Sequence, residues 1–213
     1  LGDSADFNPI QVSIGQFYGI EINDFAVTVA KTALWIAESQ MMKATEDIVH
    51  MDLDFLPLKS YANIIEGNAL RIDWNTVIPK EKLHYIMGNP PFVGARLMSA
   101  EQKADLNEIL SGFESVGNLD YVCCWFKKSV DMMINSSIRT ALVSTNSIAQ
   151  GEQVAPLWRP LFSKGIHIYF AHRTFQWDSE ANIKAHVHCV IVGFGKTNNE
   201  PKILYINEQK KMV

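Results

Sequence analysis

Gln16 to Gln40 reads QFYGIEINDFAVTVAKTALWIAESQ, a short apolar run followed at once by a long stretch of helical spacing. Residues 16–22 (QFYGIEI) have the length and the aromatic and β-branched content of a short buried strand. Asn23 or Asp24 can then cap a helix running to about Met42, because Asn and Asp side chains accept from the free N–H groups of a first helical turn. Phe25, Val29, Ala33, Ile36, Ala37 and Met41 fall at three- and four-residue steps, so the spacing predicts one apolar face packed on a sheet. A strand that feeds directly into a helix is half of a βαβ unit, and the rest of the chain repeats the pattern.

Before this stretch, residues 1–15 mix Gly, Asp, Ser, Asn and Pro without periodicity and read as an irregular segment. Residues 16–213 read as one domain. After a loop containing Pro57, residues 62–65 form a second strand that leads into Gly67-Asn68-Ala69-Leu70, and residues 83–87 form a third that ends at Gly88. Ser99-Ala100-Glu101-Gln102 has the spacing of a capping box and starts a helix through Leu110. Residues 112–117 form a Gly-bounded break, and a further helix covers about 119–134. Residues 139–144 form a fourth strand, and 156–164 a helix terminated by Gly165. Strands at 167–172, 185–194 and 203–206 close the chain, the pair around Trp177 reading as an antiparallel edge hairpin. Alternating strands and helices predict an α/β fold with a mostly parallel sheet covered on both faces. In such sheets ligands bind beyond the carboxyl ends of the strands, where Glu21, Asn68 and Asn89 all fall.

The chain has 213 residues, 47% of them hydrophobic and 20% charged. That is enough to bury the core of one ordinary domain, and it argues against disorder. No apolar run is long enough to cross a bilayer and no secretion signal is evident, so a cytoplasmic setting and no membrane partner are expected. Cys123, Cys124 and Cys189 lack the spacing of a disulfide framework or a zinc site and read as buried thiols. His186-Val187-His188-Cys189 is the nearest approach to a metal cluster, but strand alternation puts the cysteine on the opposite face from the two histidines, and no metal is expected.

Asn89-Pro90-Pro91-Phe92 is the most informative tetrapeptide. Two prolines directly after a strand remove two backbone donors and fix two φ angles, which makes a stiff loop. Such a loop can hold the Asn89 amide oxygen and the Pro90 carbonyl in place as acceptors for an exocyclic amine. A planar amine is a poor nucleophile because its lone pair is delocalised. Two fixed acceptors draw it toward tetrahedral geometry and help carry the positive charge that develops on attack. Phe92 supplies a flat face for an extruded base. The plain alternative is a rigid turn with no chemistry.

This constellation resembles the amino-methyltransferases, whose Asn/Asp-Pro-Pro-aromatic motif ends the fourth strand of a Rossmann-like sheet. More narrowly, Gln16 to Gln40, Gly67 to Trp74 (GNALRIDW) and Gly88 to Lys103 (GNPPFVGARLMSAEQK) are similar to the methyltransferase portion of MmeI-like bifunctional type II restriction–modification enzymes, over about residues 16–194. The resemblance implies an S-adenosyl-L-methionine-dependent, adenine-N6-specific DNA methyltransferase segment acting on a flipped adenine in duplex DNA, with Asn89, Pro90, Pro91 and Phe92 as its catalytic run. It gives Glu21 the cofactor's ribose hydroxyls, Ile22 its adenine ring, and Asn68 and Ala69 the adenine edge. Asp120 would line the cofactor pocket from the start of a helix, Ser144-Thr145-Asn146-Ser147 would shape the active-site wall, and Phe175 or Trp177 would pack against the target base. Plain structural roles compete at several of these: a helix-start charge for Glu21, a turn for Asn68, a cap for Asp120 and a core aromatic for Phe175 or Trp177.

Two departures accompany the resemblance. The family's Gly-rich loop, which cradles the methionine end of the cofactor, has no counterpart before Glu21, so the chain reads as an N-terminally truncated domain. His84 stands where relatives commonly have Asp. The net charge of −4 is also low for a protein that must neutralise phosphates, so duplex DNA should be gripped mainly by regions outside this chain. Truncated surfaces would allow a dimer. Two alternatives stay open: the same chemistry on RNA guanine or a protein glutamine amide, and a catalytically inactive fragment.

Overall fold

A computed structural model describes residues 11–50, 63–177, 187–198, 201–206 and 209–212. Residues 1–10, the Pro57 loop, Ala62, Ala185 and His186 lie outside the described residues, as does the side chain of Trp177. By contact density the chain divides into two compact units, Leu1–Ile78 and Pro79–Val213.

In the first unit, β1 spans Tyr18–Glu21, α1 Asp24–Val49, β2 Asn63–Glu66 and α2 Trp74–Val77. The first strand starts two residues later than its apolar run suggests, because Ile14–Gln16 close a 3-10 turn in which the Gln16 Oε1 accepts from the Ser13 N–H at 3.0 Å. β1 and β2 pair in parallel, with Tyr18 opposite Asn63 and Glu21 opposite Glu66. Asn23 caps α1 as expected, its side chain accepting from Ala26 N at 3.1 Å.

Two expectations for α1 need correction. The helix runs past Met42 to Val49, since nothing between these residues breaks it, and it stops where His50 turns left-handed with φ 52°. The packed face also differs. Phe25, Val29, Ile36 and Met41 are exposed, Phe25 to 74%, whereas Val27 is buried and Ala30, Leu34, Glu38 and Met42 are half-buried. The sequence carries apolar residues on both faces, so spacing alone does not choose between them. Glu38 lies on the packed side, where its Oε1 accepts from the Ile14 N–H at 2.9 Å.

In the second unit, β3 is Tyr85–Gly88, α3 Ala100–Ile109, α4 Cys123–Met132, β4 Arg139–Thr145, α5 Val154–Phe162, β5 His167–Trp177, β6 Val187–Gly195, β7 Ile203–Ile206 and β8 Gln209–Met212. Ser99 and Gln102 form the expected capping box of α3, with reciprocal bonds of 3.2 and 3.0 Å. Gly165 ends the segment after α5 with φ +77°. The sheet order is β3-β4-β6-β5-β7-β8. β3 pairs in parallel with β4, and β5 with β7, while β6 runs antiparallel to both β4 and β5. An antiparallel C-terminal edge hairpin is formed by β7 and β8, not by the pair around Trp177 on which it was expected. The pair ending at Trp177 is antiparallel as well, but β6 is inserted between β4 and β5 and so lies inside the sheet. Gly193 permits that insertion, because a Cβ there would collide with the Phe170 ring of β5.

This order places three strand ends together. β4 and β5 are both antiparallel to β6, hence parallel in direction to each other, and Thr145 and Phe175 both stand opposite Cys189. β3 leaves the sheet at the same edge, with Gly88 abreast of Leu142.

The core of this unit is built on α4. Phe126 is fully buried, stacks on Phe194 at 5.4 Å and meets Trp158 edge-on at 5.6 Å. The Trp158 Nε1 donates to the Ile148 carbonyl at 2.8 Å, so the large ring is buried without leaving a polar atom unpaired. Among the described residues no helix is long and apolar enough to cross a membrane. Phe126→Ala should destabilise the protein by about 3–5 kcal/mol through the cavity it leaves. Leu97→Ala, at a side chain 82% exposed, should stay within about 0.5 kcal/mol. Denaturant unfolding followed by tryptophan fluorescence checks both.

Candidate functional site

In the first unit the parallel register brings Glu21 beside the turn that follows β2, where the Gly67 N–H donates to the Glu21 carbonyl at 2.8 Å. The Glu21 side chain is half-buried; its Oε1 accepts from Asn23 N at 3.2 Å, and among the described residues nothing donates to Oε2. Ile22 is 69% exposed. Asn68 makes an Asx turn, its Oδ1 accepting from Leu70 N at 2.9 Å, while its carbonyl accepts from Arg71 and Ile72. The Ala69 carbonyl accepts from the Trp74 indole at 2.8 Å. The turn is tight: a Cβ on Gly67, at φ +154°, would collide with the Ile72 side chain. Glu21, Ile22, Asn68 and Ala69 are therefore assembled at one strand edge, with a free carboxylate oxygen and an exposed apolar side chain. Such a set fits a ligand carrying hydroxyls and a flat ring.

In the second unit Asn89 leaves β3 directly. It is exposed, as is Pro91, while Pro90 is buried and Phe92 half-buried. Among the described residues none hydrogen-bonds to the Asn89 amide or to the Pro90 carbonyl. The two acceptors assigned from sequence thus have no donor among the described residues, and Pro90 is buried between an exposed Asn89 and an exposed Pro91. The Pro91 carbonyl accepts from Val93 N at 3.2 Å and tightens the exit.

Asp120 sits in a dense network. It is 8% exposed. Its Oδ1 accepts from Ala95 N at 3.1 Å; its Oδ2 lies 2.6 Å from Ser147 Oγ and 3.2 Å from Thr145 Oγ1, and these hydroxyls lie 2.6 Å from each other, so their two protons serve three contacts. Its own N–H donates to the Gln153 Oε1 at 3.0 Å. Next to it, Tyr121 N donates to the Val93 carbonyl at 3.0 Å, and the Tyr121 hydroxyl donates to the buried Asp105 at 2.9 Å. The partnership of Thr145, Ser147 and Gln153 with Asp120 was not evident from sequence, because they lie 25 to 33 positions away. The one available signal was the polar run 144–147 directly after a strand. That run also reaches β5: the Thr174 Oγ1 donates to Asn146 Oδ1 at 2.8 Å. Phe175 is half-buried on β5 beside an irregularity in the strand pairing, and the backbone of Trp177 ends the strand.

The three cysteines are buried and form no disulfide. Burial pushes the Cys123 thiol well up, with the adjacent Cys124 and the Asp120 charge adding to it. Burial and the charge of Asp105 push Cys124 up to about 12. Burial also raises Cys189. His188 is exposed while Cys189 is buried, the opposite facing that alternation requires. Thiolates are the reactive form, so none of the three is poised as a nucleophile.

An α/β fold with Asn-Pro-Pro-Phe at the carboxyl edge of a parallel strand pair, and an acidic residue ending another strand, defines a methyltransferase-type domain. A family model described as the MmeI DNA-methyltransferase domain matches residues 3–206, and the chain belongs to that family. It is 41% identical over 206 residues to DNA methyltransferase A of Bacillus subtilis (strain 168), covering 95% of this chain and 23% of that protein. The structure of the type IIL restriction–modification enzyme MmeI in complex with DNA matches with a TM-score of 0.88 at 44% identity, over 96% of this chain and 28% of that one. The DrdV–DNA complex shares the fold, with a TM-score of 0.54 at 13% identity over 89% of this chain and 21% of that one. The chain thus spans about a quarter of the length of the relatives it matches best among these. Iodoacetamide should leave Cys123, Cys124 and Cys189 unmodified at neutral pH in the folded protein and alkylate all three after denaturation, as read by peptide mass spectrometry.

Proposed function

We propose that this chain is the catalytic segment of a larger restriction–modification protein and transfers a methyl group from S-adenosyl-L-methionine to N6 of an adenine flipped out of duplex DNA. The observation that carries the reading is the pair of acceptors at Asn89 and Pro90, to which no described residue donates, held on a proline-stiffened loop at a strand end. Family membership and the DNA-bound relative support it.

The first-unit cluster fits the cofactor. Glu21 would hold the ribose hydroxyls through its free oxygen, as strand-end acids do in dinucleotide sites, and Ile22 would cover the adenine ring. For Asn68 and Ala69 the backbone turn is the contribution, because the Asn68 oxygen and the Ala69 carbonyl already accept internal bonds. When bound, the cofactor supplies an electrophilic methyl group.

The chain's own residues prepare the acceptor. Asn89 Oδ1 and the Pro90 carbonyl would accept both N–H groups of the exocyclic amine, localise its lone pair and hold it on the line of attack. Charge develops on nitrogen as the bond forms, so acceptors already in place stabilise the transition state more than the ground state. Phe92, with Phe175 or Trp177, would stack on the flipped base and exclude water.

In the full-length protein, Asn89→Ala should lower methyl transfer to duplex DNA by about 10²–10³-fold while leaving the fold intact. Digestion of the wild-type product to nucleosides should yield N6-methyladenine by mass spectrometry. Methylguanine in RNA, or a methylated glutamine in a protein with unmodified DNA, would contradict the proposal.

A further inference from the structure

We infer that Asp120 is a positioning residue rather than a cofactor ligand: its carboxylate clamps the exit of the Asn89–Phe92 loop to the end of β4 and, through Asn146 and Thr174, to the strand that carries Phe175. The inference rests on the methyl-transfer reading for what the clamp positions, and on hydrogen bonds alone for the clamp itself.

An ionised carboxylate has about four acceptor positions. Asp120 accepts from Ala95 N and from the Ser147–Thr145 hydroxyl pair, whose two oxygens lie 2.6 Å apart and share two protons among three contacts, and it is almost fully buried. The remaining acceptor positions lie on a residue only 8% exposed, so a cofactor group reaching them would have to open this network, and loss of the Ala95 N–H bond would leave a part-buried donor unpaired, which is costly. The direction of the bonds is equally informative. Residues 120 and 121 hold the chain at both 93 and 95, through Tyr121 N to the Val93 carbonyl and Ala95 N to Asp120. The intervening residues up to Asn89 include two prolines and the Val93–Pro91 bond, so they have little freedom to absorb a shift at position 95.

The second half of the clamp continues along the polar run after β4. Thr145 and Ser147 hold Asp120, and Asn146 between them accepts from Thr174, the residue before Phe175. The pairing of Thr145 and Phe175 with the same residue of β6 fixes the distance that the side-chain bonds span. One relay therefore connects the amine-orienting loop with a candidate wall of the base pocket. Its predicted effect is on the rate of the chemical step, not on cofactor affinity.

The test uses Asp120→Ala, Asp120→Asn and Ser147→Ala in the full-length protein carrying this segment. Three quantities are read: the single-turnover methylation rate on duplex DNA at saturating S-adenosylmethionine, the dissociation constant of the cofactor, and deuterium uptake by peptides covering residues 90–98. Asp120→Ala should lower the rate by about 100-fold and Ser147→Ala by about tenfold, with the cofactor constant within about threefold of wild type. Uptake across 90–98 should rise in both. Asp120→Asn should recover most of the rate, because its oxygen still accepts from Ala95 while its amide donates to the two hydroxyls. A cofactor constant raised tenfold or more with an unchanged single-turnover rate would make Asp120 a cofactor ligand and overturn the inference. If Asp120→Ala fails to fold, Ser147→Ala decides, and unchanged rate and uptake in that variant overturn it. Should the wild-type protein methylate no DNA, the functional proposal fails, and the uptake comparison alone decides the clamp.

Discussion

Parallel strand pairing sends neighbouring chains out of a sheet at the same end, and the placement of Glu21 and of the Asn89 loop depends on that constraint. In the first unit it sets Glu21 against the turn at 67–69. In the second it sets the Asn89 loop beside the polar run after β4, and the antiparallel β6 then returns β5 in the same direction as β4. The chemistry proposed for the chain needs acceptors, a stacking face and a cofactor acid at strand ends, and the register supplies these ends before any side chain is considered.

What makes the Asn89 loop more than a turn is the contrast between its two ends. Its start offers acceptors to which no described residue donates, on an exposed amide and a carbonyl beside a buried proline ring. Its exit, at positions 93 and 95, is tied into a buried carboxylate network. A loop free at the reacting end and fixed at the other is suited to binding a partner without reorganising, the condition under which hydrogen bonds contribute most to a transition state.

Much of this was legible in the chain itself. The strand before Asn89, the proline pair, the capping box at Ser99 and Gln102, and the Asn23 cap are local features, determined by residues within a few positions of one another, and they form as their spacing predicts. The misreadings are non-local. Apolar residues on both faces of α1 left the spacing ambiguous, and the packed side carries Glu38, bonded to Ile14 at a separation of 24 positions. The insertion of β6 between β4 and β5 depends on a glycine meeting an aromatic ring across strands. β8 has the polar sequence QKKM and no alternation to announce it. At the site, Glu21, Asn68 and Asn89 were placed at strand ends correctly, but the network around Asp120 joins segments about 25 residues apart and carries only the weak signal of a Ser-Thr-Asn-Ser run.

The central claim is that Asn89 and the Pro90 carbonyl receive the amine of an extruded adenine. The most direct measurement is a structure of the full-length protein bound to duplex DNA containing its target and an unreactive cofactor analogue such as sinefungin. The account predicts an adenine outside the helix, with its N6 about 2.7–3.2 Å from both Asn89 Oδ1 and the Pro90 carbonyl oxygen. A target base still stacked in the duplex, or a flipped base whose N6 faces any other part of the protein, would contradict it.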